Sequence, residues 1–482
     1  MAKQAIPARP ARPAKTRTAR LFGGAKPSWG QLALAAAFLL LFYTLVYSDI
    51  LITVQHSLNL WDHLVEGRLG RFYAESYGAV ETLGYHTGDS VFYDFPLYIV
   101  FALWNFPLWL LRRFAGVEIL TNPLCVAWAK SLLLVFTGLA LWALGRVCSA
   151  LGLAKEDAGW ARFLTLSSAL FLSSVVLLGQ YDIIAISLML LGLEGYLRGD
   201  NGRFLLFFAL SVPMKFFTLL AFVPLLLLRE KRIGRILLQL CSAVSLLLLF
   251  RLLFHSEVRG DGLFWFIFAS ELPLSVGSVY LFVAGMAALV LFCYCRPAGQ
   301  GPREGQWAVY CCLASYSIFF LTVNTYPYWI VYLVPFIALV MVQNRGIFRV
   351  NLLLDLILSG GALLAYLFKY GWCFDGAAAS SMLLSGLMGG RPLKAAYSLP
   401  GFIASLLPGH ENMAQYFIGV GVSAFAAALV LLLIVNCPAL TGKLRLLQTK
   451  RYADERVFLG LRLAAGAAFC CLPILCYLAA VL

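Results

Sequence analysis

The 482-residue chain is 61% hydrophobic and 12% charged, with a mean hydropathy of +0.84. Soluble domains are about 45–50% apolar and about 25% charged, so this composition excludes a soluble globular protein and points to an all-α polytopic membrane protein. The net charge of +14 does not argue for a nucleic-acid partner, because Lys and Arg of membrane proteins collect in cytoplasmic loops.

Residues 1–29 contain Lys3, Arg9, Arg12, Lys15, Arg17, Arg20 and Lys26 and no acid. They read as a disordered basic cytoplasmic tail resting on anionic lipid. The apolar run that follows is longer than the h-region of a signal peptide, and no small-x-small cleavage site comes after it. It is expected to be an uncleaved anchor with its N-terminus inside.

A transmembrane helix needs about 20 apolar residues. Candidate segments fall at 30–47, 94–111, 124–145, 162–178, 183–197, 204–228, 236–254, 278–295, 307–323, 330–343, 352–368, 415–435 and 459–481, for 13 expected crossings. Basic clusters at 229–235, at Arg296 with Arg303, at Arg345 with Arg349 and at 443–456 mark inside loops. The outside loops are then 48–93, 255–277, 324–329 and 369–414, and the C-terminus lies outside.

The first segment delivers Tyr47-Ser48-Asp49-Ile50 to the outer face. Asp49 is either an ordinary interfacial acid or a general base held where a lipid-linked substrate meets water. The loop it opens, 48–93, also holds Asp62, Glu66, Glu75, Glu81, Asp89 and Asp94 with His56, His63 and His86. Leu58, Trp61, Leu64 and Val65 recur at helical spacing, so short amphipathic helices lying flat at the interface are expected. Trp61, Phe72, Tyr73 and Tyr77 read singly as an aromatic belt.

Gly179-Gln180-Tyr181-Asp182 heads the 183–197 segment, where its acid and amide either cap a helix or reach a ligand. Further on, Lys215 stands in Val212-Pro213-Met214-Lys215-Phe216. A single span over 204–228 would place that lysine near mid-membrane, at about 2.5–3.5 kcal/mol on insertion scales. It would also put Arg198 and Arg203 outside. If the chain instead turns back at Met214-Lys215, both basic clusters stay inside, and Lys215 joins Gln180-Tyr181-Asp182 on the outer side. Each arm then has about 12 residues, roughly 18 Å, and must pack within protein as a re-entrant pair. The hairpin is the preferred reading, and a phosphate is the natural partner for a lysine so placed. Asn324-Thr325-Tyr326-Pro327-Tyr328-Trp329 forms an outer turn of hydroxyls and aromatics, either an interface belt or a ligand surface.

The 12 cysteines lie almost entirely in apolar segments with no CxxC spacing, and only Cys373 falls in an outer loop. Core packing is their expected role. His56, His63, His86, His255 and His410 all fall in outer segments without the i, i+4 spacing of a helical metal site. They read as wet-loop residues, with a divalent cation as the lesser alternative and no metal ligand assigned.

Four blocks give the chain a resemblance to a known class. Tyr-Ser-Asp-Ile at 47–50 is similar to the acidic motif after the first helix of the glycolipid mannosyltransferases of the GPI pathway. Trp61-Asp62-His63-Leu64-Val65-Glu66-Gly67-Arg68 with Phe72-Tyr73 resembles the loop that follows it there. Phe92-Tyr93-Asp94-Phe95-Pro96-Leu97-Tyr98 resembles the aromatic-proline entry to the next helix. Gly-Gln-Tyr-Asp at 179–182, with Lys215 downstream, resembles a Gln-Tyr-Asn or Gln-Tyr-Asp element and lysine of other members. Together they cover residues 30–230 and resemble the GT-C-fold glycosyltransferases, which use polyprenyl-phosphate sugar donors. Position 51 is Leu where the mannosyltransferase pattern has a second acid, which leaves the donor sugar open.

The resemblance implies a GT-C-like catalytic module over 30–235 and a variable transmembrane module over 236–482. It implies inverting transfer of a monosaccharide from a polyprenyl-phosphate donor to a glycan, lipid or protein acceptor at the outer face; the compact, loop-poor layout is what points to a bacterial plasma membrane. Asp49 would be the catalytic base. Asp62, Tyr93, Asp94, Gln180, Tyr181, Asp182, Lys215, Tyr326 and Tyr328 would hold substrate, with Lys215 on the phosphate. The rivals are a lipid or polysaccharide transporter or flippase, and a non-catalytic membrane scaffold. A transporter calls for acids or broken helices near mid-membrane. Here the acids gather at one face, Asp355 being the exception.

Overall fold

The computed structural model describes residues 29–82, 85–91, 93–254, 270–275, 277–299, 302–389, 398–401, 413–441, 443, 446–449 and 451–481. They belong to two units, 1–39 and 40–482. In the first, residues 29–39 are helical.

Helices form on the apolar segments, as they must where lipid offers the backbone no hydrogen bonds. The chain runs α1 (Trp29–Thr44), α2 (Ser48–Val65), α3 (Phe72–Glu75), the strands β1 (Tyr77–Thr82) and β2 (Tyr85–Ser90), α4 (Phe95–Ala115), α5 (Pro123–Ala150), α6 (Lys155–Leu166) and α7 (Ala169–Phe171). A π-helical stretch, Leu172–Leu177, leads to α8 (Asp182–Leu197), α9 (Asn201–Ser211), α10 (Leu219–Arg229) and α11 (Ile233–Phe254). After the strands β3 (Glu271–Leu274) and β4 (Gly277–Tyr280) come α12 (Leu281–Cys295), α13 (Pro302–Thr322), α14 (Val334–Gln343), α15 (Phe348–Lys369), α16 (Gly371–Ala379), α17 (Met382–Leu387), α18 (Met413–Asn436) and α19 (Arg456–Val481). The two antiparallel strand pairs are the only sheets among the described residues. This is a helical architecture compatible with a multi-pass membrane protein.

Six described helices are long and apolar enough to cross a membrane, or eight if two bent pairs each count as one span. The expected 13 crossings are therefore not all matched by long helices, because several apolar segments are broken. The 162–178 segment becomes α6 and the α7–π stretch, bent by 48°. The 204–228 segment becomes α9 and α10, with a turn at 212–215 between them.

That turn reverses the chain. Phe204, near the start of α9, stacks on Phe222 in α10 at 5.0 Å, and Phe208 lies 5.1 Å from the same ring. Arg229, at the end of α10, lies 5.9 Å from the ring of Phe204. The two arms are antiparallel neighbours with Lys215 at the tip.

The loop 48–93 departs from the expected row of short flat helices. α2 is one amphipathic helix, and its apolar side is buried against α4 and β1 rather than left for lipid. β1 and β2 form a hairpin over it, with the Ala79 amide donating to Gln55 Oε1 at 3.0 Å. A Cβ at Gly78 would lie 2.9 Å from Ile52, so glycine is what lets the strand approach α2.

Phe72 is not a belt residue: it is fully buried with Phe95 and Tyr98 in the core between α2 and α4. His56 and His63 are not wet. Both are buried; His56 Nδ1 pairs with Ser76 Oγ at 2.8 Å, and His63 Nδ1 with the Asn59 carbonyl at 2.8 Å. Cys373, expected in an outer loop, is buried in α16. His255 and His410 lie outside the described residues.

Candidate functional site

The site is built on two helix N-termini. α1 ends at Thr44, three residues follow, and α2 begins at Ser48 with Asp49 in its first turn. The break leaves backbone groups that need partners. Lys130, buried in α5, donates to the carbonyls of Phe42 and Leu45 and, at 3.3 Å, to that of Val176. The Val46 amide donates to the Ala377 carbonyl at 2.9 Å, and Ser381 Oγ to the Thr44 carbonyl. The kink is thus fixed from α5 on one side and from the α16–α17 region on the other.

The second N-terminus belongs to α8. Leu178 and Gln180 donate their amides to the Ser173 and Ser174 carbonyls in the π stretch. Gly179 has φ +58°, the left-handed region that glycine enters at little cost. A Cβ there would also lie 3.3 Å from Lys130 Cε. This tight turn brings Gln180, Tyr181 and Asp182 to Asp49. Gln180 Nε2 donates to Asp49 Oδ2 at 3.1 Å, and the Tyr181 hydroxyl donates to the same oxygen at 3.2 Å. Thr53 Oγ1, one turn along α2, donates to the Asp49 carbonyl at 2.9 Å. No described residue donates to Asp49 Oδ1.

Asp182 is buried, and neither carboxylate oxygen accepts a hydrogen bond from a described residue. The hydroxyl of buried Tyr332 stands beside it. Lys215 Nζ, at the hairpin tip, is 3.9 Å from Asp182 Oδ1. The ammonium also sits over the rings of Tyr93 at 4.8 Å, Trp329 at 5.5 Å and Phe217 at 5.8 Å. Both Asp182 and Lys215 lie within electrostatic range of Asp49.

Aromatic rings complete the wall. Tyr93 meets Tyr181 edge-on at 5.1 Å. Tyr328 lies within electrostatic range of Asp49 and Asp182 and stacks on Tyr326 at 5.6 Å. Seven of the residues expected at a site therefore come together (Asp49, Tyr93, Gln180, Tyr181, Asp182, Lys215 and Tyr328), with Tyr326 stacked behind.

Asp62 and Asp94 have ionic partners of their own. Asp62 is 13 residues along α2 from Asp49, about 20 Å at 1.5 Å per residue. It pairs with Arg112 and accepts from Trp109 Nε1 at 2.8 Å, tying α2 to α4. Asp94 is held by Arg251 at 2.7 and 3.1 Å, tying the start of α4 to α11. Both acids are engaged in helix–helix pairing.

Among the described residues no group of three or more His, Cys, Asp or Glu is placed to hold a metal ion. The cation beside Asp182 is the Lys215 ammonium. Sequence reasoning missed Lys130. Its signal was a lysine inside the apolar segment 124–145, where an ionisable group is costly and needs partners.

Comparison with protein-family models and with curated proteins finds no match. The chemistry of the site is therefore read from its own residues.

Proposed function

We propose that the chain is a membrane glycosyltransferase of the GT-C type. It transfers a monosaccharide from a polyprenyl-phosphate donor to an acceptor hydroxyl at the outer face of the plasma membrane, with inversion. The observation that carries the reading is the meeting of Asp49, Asp182 and Lys215 from three separate chain segments.

Asp49 Oδ2 is held by Gln180 and Tyr181, leaving Oδ1 for an incoming proton. The acceptor hydroxyl loses its proton to Oδ1 as its oxygen attacks the anomeric carbon. The bond from that carbon to the phosphate oxygen breaks, and polyprenyl phosphate leaves with the electron pair. Lys215 offsets the charge that grows on the phosphate. The unbonded oxygens of Asp182 are acceptors for sugar or acceptor hydroxyls; a buried acceptor left open in the protein is what a hydroxylated ligand would fill. Tyr93, Tyr326 and Tyr328 offer rings against which a sugar face packs. In this reading the α9–α10 hairpin is re-entrant and only two of the apolar segments 94–111, 124–145 and 162–178 cross fully, so that Asp49 and Asp182 share one face.

The transporter reading draws on Asp355. That carboxylate is buried, accepts from Arg462 Nε at 2.6 Å, and lies in a closed pair whose arginine also donates to Ser167 at 2.5 Å. It serves better as a pin between α15 and α19 than as a step on a pathway.

The test is incubation of the purified protein with a panel of polyprenyl-phosphate monosaccharides and candidate acceptors, scoring release of polyprenyl phosphate. Release with one donor is expected. Release with none, in a protein shown to be folded, would overturn the assignment.

A further inference from the structure

A second site stands at the other end of the same helices. Asp182 opens α8 and Arg198 follows its last residue, 16 residues on, so the two ends are separated by about 24 Å of helix. At the Arg198 end a cavity of about 1210 Å³ opens between the α8–α9 turn, the end of α10 and the start of α11. The basic clusters at 198–203 and 229–235 that border it are the ones whose charge marks a cytoplasmic face.

Among the cations lining this cavity, Arg229 is the one without a described carboxylate partner. Arg198 is taken up by Glu194, which also binds Arg146 and Arg203. Glu304 is taken up by Arg296 at 2.7 Å. Glu230 accepts from the amides of Lys231 and Arg232, both at 3.0 Å, and lies 3.6 Å from Arg235. Arg229 is different. It is half-buried and donates to the Tyr196 carbonyl. Its guanidinium lies 4.0 Å over the Tyr196 ring. No described carboxylate lies within 4.0 Å of it. A guanidinium fixed by a carbonyl and a ring, partly desolvated and without a counter-ion, is a receptor for an anion, and its planar fork matches phosphate oxygens. The Ser242 side chain of α11 lies in the same wall. Leu205 and Leu238 give it an apolar flank.

We propose that this cavity binds a phosphate group through Arg229. The group comes either on an anionic phospholipid, whose acyl chain lies along Leu205 and Leu238, or as free phosphate. The proposal does not depend on the reaction at Asp49.

The test uses the full-length protein in detergent, stripped of lipid. Phosphatidylglycerol, phosphatidylcholine and inorganic phosphate are titrated separately. Retention of each lipid is read by native mass spectrometry, and phosphate binding by calorimetry. Arg229→Gln, which keeps a donor for the Tyr196 carbonyl, is expected to weaken binding about tenfold, the size of one charge-assisted contact. Arg229→Lys keeps most of it, and Ser242→Phe, which fills the cavity without touching Arg229, also weakens it. Preference for phosphatidylglycerol over phosphatidylcholine in the wild type makes the source a lipid. Binding of inorganic phosphate without that preference makes it free phosphate. Binding of both at wild-type strength in Arg229→Gln and Ser242→Phe overturns the proposal, as does no binding of either by the wild type. A single monodisperse species on size exclusion shows that each variant is folded.

Discussion

Gln180 and Asp49 are 131 residues apart in the chain, yet the Gln180 amide donates to Asp49 Oδ2 at 3.1 Å. The Tyr181 hydroxyl reaches the same oxygen, so two neighbouring side chains hold one carboxylate in a single orientation. Losing one of the two leaves Asp49 in place but looser. Gln180→Leu and Tyr181→Phe are each expected to lower kcat about tenfold, the worth of one hydrogen bond to a charged group, with little change in KM. Equal kcat in both variants and wild type would show that Asp49 needs no such support.

Lys215 and Asp182 form a buried pair, and removing one partner leaves the other charge exposed to a dry interior. Lys215→Met alone is expected to cost about 3–5 kcal/mol of stability. Adding Asp182→Asn should restore much of that loss while donor binding stays weak. Thermal unfolding in detergent and affinity for a non-reactive donor analogue separate the two effects. Full recovery of donor binding in the double variant would confine Lys215 to a structural role.

Lys130 is the support behind the site. Lys130→Met leaves the Phe42 and Leu45 carbonyls buried without a donor, at about 1–3 kcal/mol for each orphaned group. Lower thermal stability and a fall in kcat are expected together, because the same contacts fix the start of α2. Gly179→Ala should act in the same direction, by about 1–2 kcal/mol, through its left-handed backbone and its approach to Lys130. A stable and fully active Lys130→Met would show that the kink holds without it.

Asp375 gives the fold a pH dependence. Burial pushes its carboxyl up to about 6 from an ordinary 3.8, although the Leu399 amide donates to it at 2.7 Å. The folded state therefore binds this proton more tightly than the unfolded chain. Its contribution to stability is full below about pH 4, falls as pH rises toward 6, and is constant above that. The total is at most about 3 kcal/mol. Wild type should lose stability over that range relative to Asp375→Asn, measured by unfolding in detergent. Parallel pH profiles would contradict the assignment.

Much of the site was legible because its residues are chemically out of place. Asp49, Asp182 and Lys215 border apolar runs, where a charge has no cheap reason to be. The turn at Lys215 followed from the same cost, since a single span would strand the lysine. The pairing of Asp62 and Asp94 was not legible, because an acid in a polar loop looks the same whether it meets a ligand or an arginine such as Arg112 or Arg251. Those arginines lie 50 and 157 residues away, and nothing local announces the pairing. The β1–β2 hairpin was missed because its strands are rich in Gly, Thr and charge, with no alternating apolar face to read. Lys130 was missed because its partners are main-chain carbonyls, which have no sequence signature.

The most direct test is Asp49→Asn, which keeps the size of the side chain and its place beside Gln180 and Tyr181 but removes the base. With a donor that the wild type accepts, release of polyprenyl phosphate should fall by at least about a hundredfold, the scale of general-base catalysis, while the protein stays monodisperse and donor affinity stays close to wild type. Transfer at the wild-type rate by Asp49→Asn would contradict the account.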